Sequence, residues 1–227
     1  MISREELKEA WIIDPSFRFY QHPSHFCFNT DTVLLAKFAR VNPGDTVMDV
    51  GCNNGALLVW LDQFDPKELI GVEILPQSAE VAELNAGRFL KNHCTILQED
   101  VRTLKHDPVD LIVCNPPYFP VNQSPAEEKA TLRQKGRVEY TLQLEDLAKA
   151  ASRLLKTGGR LALVHRPERT VEIIEALRKY RLNPSRLAYV YDRRDRQCKS
   201  VLMEAVYDRS PQLQVEVPIW IGEEPHD

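Results

Sequence analysis

An apolar run that ends at two successive prolines constrains the fold more than any other stretch of this chain. The run Leu111-Ile112-Val113-Cys114 is typical of a buried parallel strand, and Asn115-Pro116-Pro117-Tyr118 follows it. Proline has no N–H to donate, so the strand stops at Asn115 and the next residues form a rigid turn. Ligands of open α/β sheets bind at the carboxyl ends of the strands. We therefore expect Asn115 and Tyr118 to border a site that suits a flat, amino-bearing ring.

Apolar segments of strand length alternate with helix-length segments from residue 46 onward. The expected strands cover residues 46–50, 69–73, 95–98, 109–114, 160–165, 185–191 and 200–207. Strands that alternate with helices form a mainly parallel sheet covered on both faces. The last two strands have a short charged connection, which indicates an antiparallel pair. The sequence therefore predicts an α/β fold, doubly wound, with a mainly parallel seven-stranded Rossmann-like sheet and an antiparallel edge strand.

The residues before the first of these strands have a different pattern. Ser3-Arg4-Glu5-Glu6 fits a capping box at the start of a short helix. The alternating aromatics Phe17/Phe19 and Phe26/Phe28 predict a hairpin, and a further helix begins near Asn29. We expect residues 1–42 to form a helix and hairpin extension that covers the ligand site, residues 43–209 to form the main domain, and residues 210–227 to form a C-terminal tail.

Composition argues against several functional classes. The chain of 227 residues has no apolar run long enough to span a bilayer, and residues 1–10 are charged, unlike a signal peptide. Its five cysteines include no Cys-x-x-Cys pair, and its six histidines show no metal-ligand spacing. We therefore expect buried thiols in a reducing cytoplasm and no bound metal. A formal net charge of −4 means that nucleic-acid binding would need a local basic patch.

Polar residues follow the first three expected strands, where the carboxyl ends of those strands meet. Asp49-x-Gly51-x-Asn53-x-Gly55 links a strand to a helix, and its glycines allow a sharp turn close to a ligand. Glu73 ends the second strand, where a carboxylate accepts hydrogen bonds from ribose hydroxyls. Asp100 ends the third strand and suits an adenine amino group, with Ile74 and Val101 on the two faces of the ring. Together these residues indicate a nucleoside cofactor, while the glycine spacing lacks the pyrophosphate fingerprint.

This arrangement resembles the class I S-adenosylmethionine-dependent methyltransferases, in which the strand–turn–helix holds the methionine part and the second acid holds the ribose. The resemblance implies a methyltransferase sheet and S-adenosyl-L-methionine as cofactor, held by Asp49, Gly51, Asn53, Gly55, Glu73, Ile74, Asp100, Val101 and Asn115. Family members usually have glycine at the position of Asn53. Asparagine tolerates a left-handed backbone best after glycine, so we expect the turn to keep its shape.

Asn-Pro-Pro-Tyr after the fourth strand is similar to the signature of amino-methyltransferases, which act on exocyclic or amide nitrogen. Such a nitrogen is a poor nucleophile because its lone pair is delocalised. The side-chain oxygen of Asn115 and the carbonyl of Pro116 can accept its two N–H bonds, and Tyr118 can stack on the ring. These three residues are therefore the expected catalytic group, and they act by positioning and by stabilising developing positive charge.

The run from Phe26 to Phe38, together with the Gly51 turn, Glu73 and the Asn115 turn, resembles the tRNA1(Val) (adenine-N6)-methyltransferase group. The resemblance spans most of residues 17–207. It implies N6-methylation of the adenosine beside the anticodon of a valine tRNA, with tRNA as the partner. It also makes Thr30 and Asp31 candidate cofactor contacts. Guanine N2 in ribosomal RNA, a protein glutamine amide, and a non-catalytic RNA-binding module remain open as alternatives.

Two basic clusters are candidates for phosphate contacts. The first lies after the Asn115 turn and the second lies between the last two expected strands; their members are Lys129, Arg133, Lys135 and Arg137, and Arg193, Arg194, Arg196 and Lys199. Lysine and arginine bind phosphates without reading the base sequence. A solvated surface is the alternative for each cluster, and the second also contains Asp192 and Asp195. The sequence leaves the oligomeric state open.

Overall fold

The computed structural model describes residues 2, 4–25, 28–117 and 142–223. Its strands are β1 (Lys8–Trp11), β2 (Arg18–Gln21), β3 (Thr46–Val50), β4 (Glu68–Val72), β5 (Cys94–Leu97), β6 (Val109–Cys114), β7 (Leu155–His165), β8 (Leu182–Asp192), β9 (Cys198–Tyr207), β10 (Gln214–Val215) and β11 (Ile219–Ile221). Its helices are α1 (Thr30–Phe38), α2 (Ala56–Leu61), α3 (Pro76–Phe89), α4 (Leu144–Leu154) and α5 (Thr170–Lys179). No helix in these ranges is both long and apolar enough to cross a membrane.

One sheet contains nine of these strands, in the order β10-β8-β9-β7-β6-β3-β4-β5, with β11 also paired to β8. Strands β3 to β8 run parallel to one another, while β9 pairs antiparallel with both β7 and β8. The expected α/β fold with a mainly parallel sheet is confirmed.

Two details of the sheet differ from the prediction. The antiparallel strand β9 lies inside the sheet, because the crossover through α5 leaves a gap beside β7 that the β8–β9 hairpin fills. The sheet also has nine strands instead of seven, because the C-terminal tail adds β10 and β11 parallel to β8. Strands of two and three residues are too short to show an alternation in the sequence.

The predicted N-terminal helix is wrong, because most of that segment forms a strand. A single 3-10 turn (Arg4–Glu6) precedes strand β1, which pairs antiparallel with β2. The alternating pair Phe17/Phe19 therefore marks a strand correctly, but its partner is the segment predicted to be helical. Phe26 lies outside the described residues, and Phe28 packs edge-on against Phe19 with ring centroids 5.1 Å apart. A helix of so few residues has little stability of its own, so pairing with β2 decides its structure.

The sheet is buried on both faces. Neighbouring residues of β3 point to opposite sides, so that Val47 and Met48 belong to two different apolar clusters. Helices α4 and α5 cover the face of Met48, while α1 and α2 cover the face of Val47. Phe19 from β2 is fully buried in this second cluster. The N-terminal segment thus shares its core with the sheet, and the division at residue 42 remains a prediction.

Candidate active site

A cavity lies at the carboxyl ends of β3, β4 and β6 and holds about 1090 Å³ of empty space, its open mouth included. Most of the site residues expected from the sequence line it: Asp49, Gly51, Asn53, Glu73, Ile74, Asp100, Val101, Asn115 and Pro116. The register explains why they meet, because Val50 pairs with Val72 on one side and with Cys114 on the other. Residues that directly follow these three strands therefore stand side by side.

The loop between β3 and α2 is shaped by three left-handed residues in alternation. Gly51, Asn53 and Gly55 have φ angles of 73°, 50° and 74°. Asn53 thus has the left-handed backbone expected of it from the sequence. The N–H groups of Gly51 and Cys52 both donate to the carbonyl of Val72, at 2.8 and 3.1 Å. Among the described residues, nothing lies within 4 Å of a Cβ placed on Gly51, so the loop leaves open space at that point.

Glu73 connects the loop to the second strand. Its carboxylate accepts the backbone N–H of Asn53 at 2.9 Å and that of Leu75 at 2.8 Å. Burial raises the pKa of Glu73, and the backbone N–H groups act in the opposite direction. A carboxylate has about four lone-pair sites, so beyond these backbone N–H groups the side chain can also accept from a ligand hydroxyl.

Asp49 also lines the cavity and is 3 % exposed. Burial, followed by repulsion from Glu73, raises the pKa of Asp49 to about 8. Its carboxyl group is therefore mostly protonated at neutral pH. Because the carboxyl groups of Asp49 and Glu73 both line this cavity, a ligand with a positive charge would favour their ionised forms.

Asp100, the third acid expected at the site, already has a hydrogen-bond partner within the protein. Arg102 donates to Asp100, with Nη2 at 2.5 Å and Nε at 2.9 Å from Oδ2, and these hydrogen bonds lower the pKa of Asp100. An adenine amino group at this position would share the carboxylate with Arg102. The two apolar residues beside it differ, since Ile74 is 36 % exposed and Val101 is buried.

Asn115 lies at the other side of the cavity, directly after β6, with Pro116 and Pro117 beside it. Its Nδ2 donates to the hydroxyl of Thr32 at 3.1 Å. Tyr118, predicted to be catalytic, lies outside the described residues, as does the whole first basic cluster.

Three predicted cofactor contacts do not line the cavity. The structure places Thr30 and Asp31 off its wall, and Asp31 instead accepts the hydroxyl proton of Ser200 at 2.6 Å. Consecutive helix residues point about 100° apart, so the first turn of α1 presents Thr32 to the cavity in their place. Gly55 lies behind the wall, where a Cβ would meet that of Ala82 at 3.6 Å.

Asn85 is a supporting residue that the sequence interpretation missed. It is fully buried on α3, and its side chain exchanges hydrogen bonds with both backbone groups of Tyr20, at 2.7 and 2.8 Å. Its Nδ2 also donates to the carbonyl of Asn54 at 2.8 Å. Asn85 therefore fixes β2 and the glycine loop together. The available signal was a polar residue on the apolar stripe of the helix, one turn after Val81.

The second basic cluster is partly neutralised by its own acids. Arg194 pairs with Asp192 at 2.7 Å and Lys199 pairs with Asp195 at 2.5 Å. This pairing reduces the local positive field available to phosphates. In the described part of the chain, no three His, Cys, Asp or Glu side chains are grouped so that they could hold a metal ion.

Comparison with known proteins explains this geometry. The family model of the methyltransferase small domain matches residues 17–183. The chain belongs to that family. Two relatives are named tRNA1(Val) (adenine(37)-N6)-methyltransferase: that of Porphyromonas gingivalis (strain ATCC 33277) is 33 % identical, covering 80 % of this chain and 77 % of the relative. The relative from Aeromonas hydrophila subsp. hydrophila is 32 % identical, and the match covers 77 % of this chain and 74 % of the relative.

A solved structure agrees on the fold. The T. thermophilus 16S rRNA N2 G1207 methyltransferase, in complex with AdoMet and guanosine, superposes with a TM-score of 0.62 at 20 % identity, covering 88 % of this chain and 50 % of that one. The superposition shows that the chain has a Rossmann-like fold. Its family membership makes it an S-adenosyl-L-methionine-dependent methyltransferase.

The residues of the cavity fit this cofactor. Glu73 has lone pairs for the ribose hydroxyls, and the carboxyl groups of Asp49 and Glu73 suit the positively charged methionine part. Ile74 and Val101 offer apolar contact to the adenine, beside Asp100.

Proposed function

We propose that this methyltransferase modifies N6 of an adenine in tRNA, and that its target is the anticodon-loop adenosine next to the anticodon of a valine tRNA. The observation that carries the proposal is the position of the Asn115-Pro116 pair. This pair follows β6 at the same level of the sheet at which the glycine loop follows β3. Asn115 therefore lines the cavity in which the methyl donor would bind. The activity for which the two relatives are named supports adenine N6 in tRNA as the acceptor.

The proposed chemistry is mostly positioning. When bound, S-adenosyl-L-methionine supplies an electrophilic methyl group on a sulfonium. Asn115 Oδ1 and the carbonyl oxygen of Pro116 accept the two N–H bonds of the adenine amino group. Both acceptors draw the nitrogen out of conjugation and turn its lone pair towards the methyl group. They also stabilise the positive charge that develops on nitrogen, before the extra proton leaves to water.

Several further parts of the proposal concern the substrate. An adenine in a tRNA loop is unpaired, so turning it into a pocket costs little. Stacking by Tyr118 and phosphate contacts by the two basic clusters remain predictions. With a tRNA substrate, the protein would act in the cytoplasm.

The test is transfer of a tritiated methyl group to bulk tRNA, ribosomal RNA and total protein, followed by nucleoside and amino-acid analysis of the labelled product. We expect labelled N6-methyladenosine from tRNA. Labelled N2-methylguanosine from ribosomal RNA, or labelled N5-methylglutamine from protein, would reassign the substrate. Cofactor binding without transfer to any of the three would instead indicate an RNA-binding module.

A further inference from the structure

The first turn of α1 is bonded to Asn115, although the two are far apart in the sequence. Asn115 Nδ2 donates to Thr32 Oγ1 at 3.1 Å and lies 3.5 Å from Asn29 Oδ1. Thr32 is 8 % exposed and lines the same cavity as Asn115. This contact connects the N-terminal segment directly to the group expected to hold the acceptor nitrogen.

The backbone fixes the orientation of the Asn29 side chain. Asn29 is the N-cap of α1, and its side chain accepts the backbone N–H of Thr32 at 3.0 Å. A backbone N–H can only donate, so the Asn29 atom at this point is the oxygen. The Thr32 hydroxyl gives its one proton to the same oxygen, at 3.2 Å, and accepts the backbone N–H of Asn29 at 3.5 Å. Its second lone pair remains for Asn115.

These partners favour one orientation of the Asn115 amide. Its NH₂ group faces two oxygen atoms, Thr32 Oγ1 at 3.1 Å and Asn29 Oδ1 at 3.5 Å. Rotating the amide by 180° would bring its oxygen against the Asn29 oxygen and turn its N–H bonds away from α1. An amide in that orientation would meet an acceptor amino group donor to donor, and it could not receive the N–H bonds of the substrate.

We propose that Thr32 is a positioning residue for methyl transfer: its hydroxyl, polarised by the N-cap Asn29, holds Asn115 in the orientation in which the side-chain oxygen accepts from the acceptor amino group. The inference rests on the proposed function of Asn115 and applies to any amino acceptor of that turn. The Asn29–Thr32 cap thus orients Asn115 in addition to stabilising α1.

The experiment compares two substitutions of one side chain. Thr32→Val keeps the shape but has neither lone pairs nor a hydroxyl proton, whereas Thr32→Ser keeps both. Each variant is assayed for kcat and KM with the macromolecule that the wild-type protein methylates, for affinity towards S-adenosyl-L-homocysteine, and for Tm.

We expect kcat of Thr32→Val to fall 10- to 100-fold, while the Kd for S-adenosyl-L-homocysteine changes less than threefold. Thr32→Ser should retain kcat within threefold of the wild type. In an Asn115→Ala background, Thr32→Val should cause no further loss, because a residue that acts only through Asn115 has nothing left to position.

Three results would overturn the inference. One is an undiminished kcat in Thr32→Val, and another is an equal loss in Thr32→Ser, which would indicate a steric role. The third is a loss with a purely structural cause, shown either by a further loss in the Asn115→Ala background or by a parallel fall in Tm and cofactor affinity. Wild-type methylation of guanine or glutamine would refute the adenine substrate, while the ratio of the two Thr32 variants would still decide the role of Thr32.

Discussion

The two walls of the cavity are held in place in different ways. The cofactor wall is a loop of five residues whose shape comes from left-handed φ angles and from backbone bonds to the neighbouring strand and its terminal glutamate. The acceptor wall is a proline turn whose key amide is oriented by side chains from a helix 83 positions earlier in the chain. The first wall depends mainly on backbone conformation and on hydrogen bonds of its backbone, and the second depends on contacts between side chains of distant segments. A substitution in the cofactor wall should therefore affect cofactor binding, and a substitution in the acceptor wall should affect methyl transfer.

Asn115→Ala should give the largest effect, and it tests the acceptor wall alone. Without the amide oxygen the acceptor nitrogen loses one of its two hydrogen-bond partners, so we expect the methylation rate to fall by about 100-fold or more. The Kd for S-adenosyl-L-homocysteine, measured by calorimetry, should change less than threefold. Asn42→Ala, in an exposed turn at the opposite end of the sheet, is the matched control. An equal loss of cofactor affinity would show that the two walls are not separable.

Glu73→Gln tests the cofactor wall and should have the next largest effect. An amide replaces a carboxylate that accepts two backbone N–H groups, so one donor must face another donor. We expect cofactor affinity to fall by about 10- to 30-fold, which corresponds to about 1.5–2 kcal/mol. Calorimetric titration measures it. Glu68→Gln, at the amino end of the same strand, should leave the affinity unchanged. Equal effects of both substitutions would refute a specific role for Glu73.

Substitutions of Asn53 test whether local backbone preference shapes the loop. Its φ of 50° is costly for a β-branched residue and easy for glycine. We expect Asn53→Val to reduce the free energy of unfolding by about 1–2 kcal/mol, and Asn53→Gly to change it by less than about 0.5 kcal/mol. Urea denaturation measures both values. Comparable stability of the two variants would mean that surrounding contacts, and not φ, determine the loop.

Asp49→Asn has little effect at low pH, and its effect on stability depends on pH. The pKa of Asp49 is raised from 3.8 to about 8, so between these values the unfolded chain releases a proton that the folded protein keeps. The wild type therefore loses stability as pH rises from about 4 to about 8, and the variant does not. We expect the Tm of the variant to match that of the wild type near pH 4 and to exceed it by a growing margin as the pH rises to 8. A difference independent of pH would contradict a raised pKa.

The sequence by itself determined the parallel strands of the central sheet, the glycine loop and the two acids of the cofactor wall. Each of these depends on residues close together in the chain: an apolar run, a glycine with its left-handed backbone, and a carboxylate at a strand end. The Asn115 turn was visible for the same reason, since two prolines stop a strand wherever it lies.

Only the tertiary structure decided which residues of the N-terminal segment reach the cavity. The family resemblance favoured Thr30 and Asp31 as cavity residues. In the packed structure Thr32 lines the cavity instead, and Asp31 accepts a hydrogen bond from Ser200. The pairing of β1 with β2, the internal position of β9 and the anchoring of Tyr20 by Asn85 also join segments distant in sequence. Such contacts depend on how elements dock against a shared core. Local periodicity describes each element alone, so it shows which face is apolar but not which partner that face will meet.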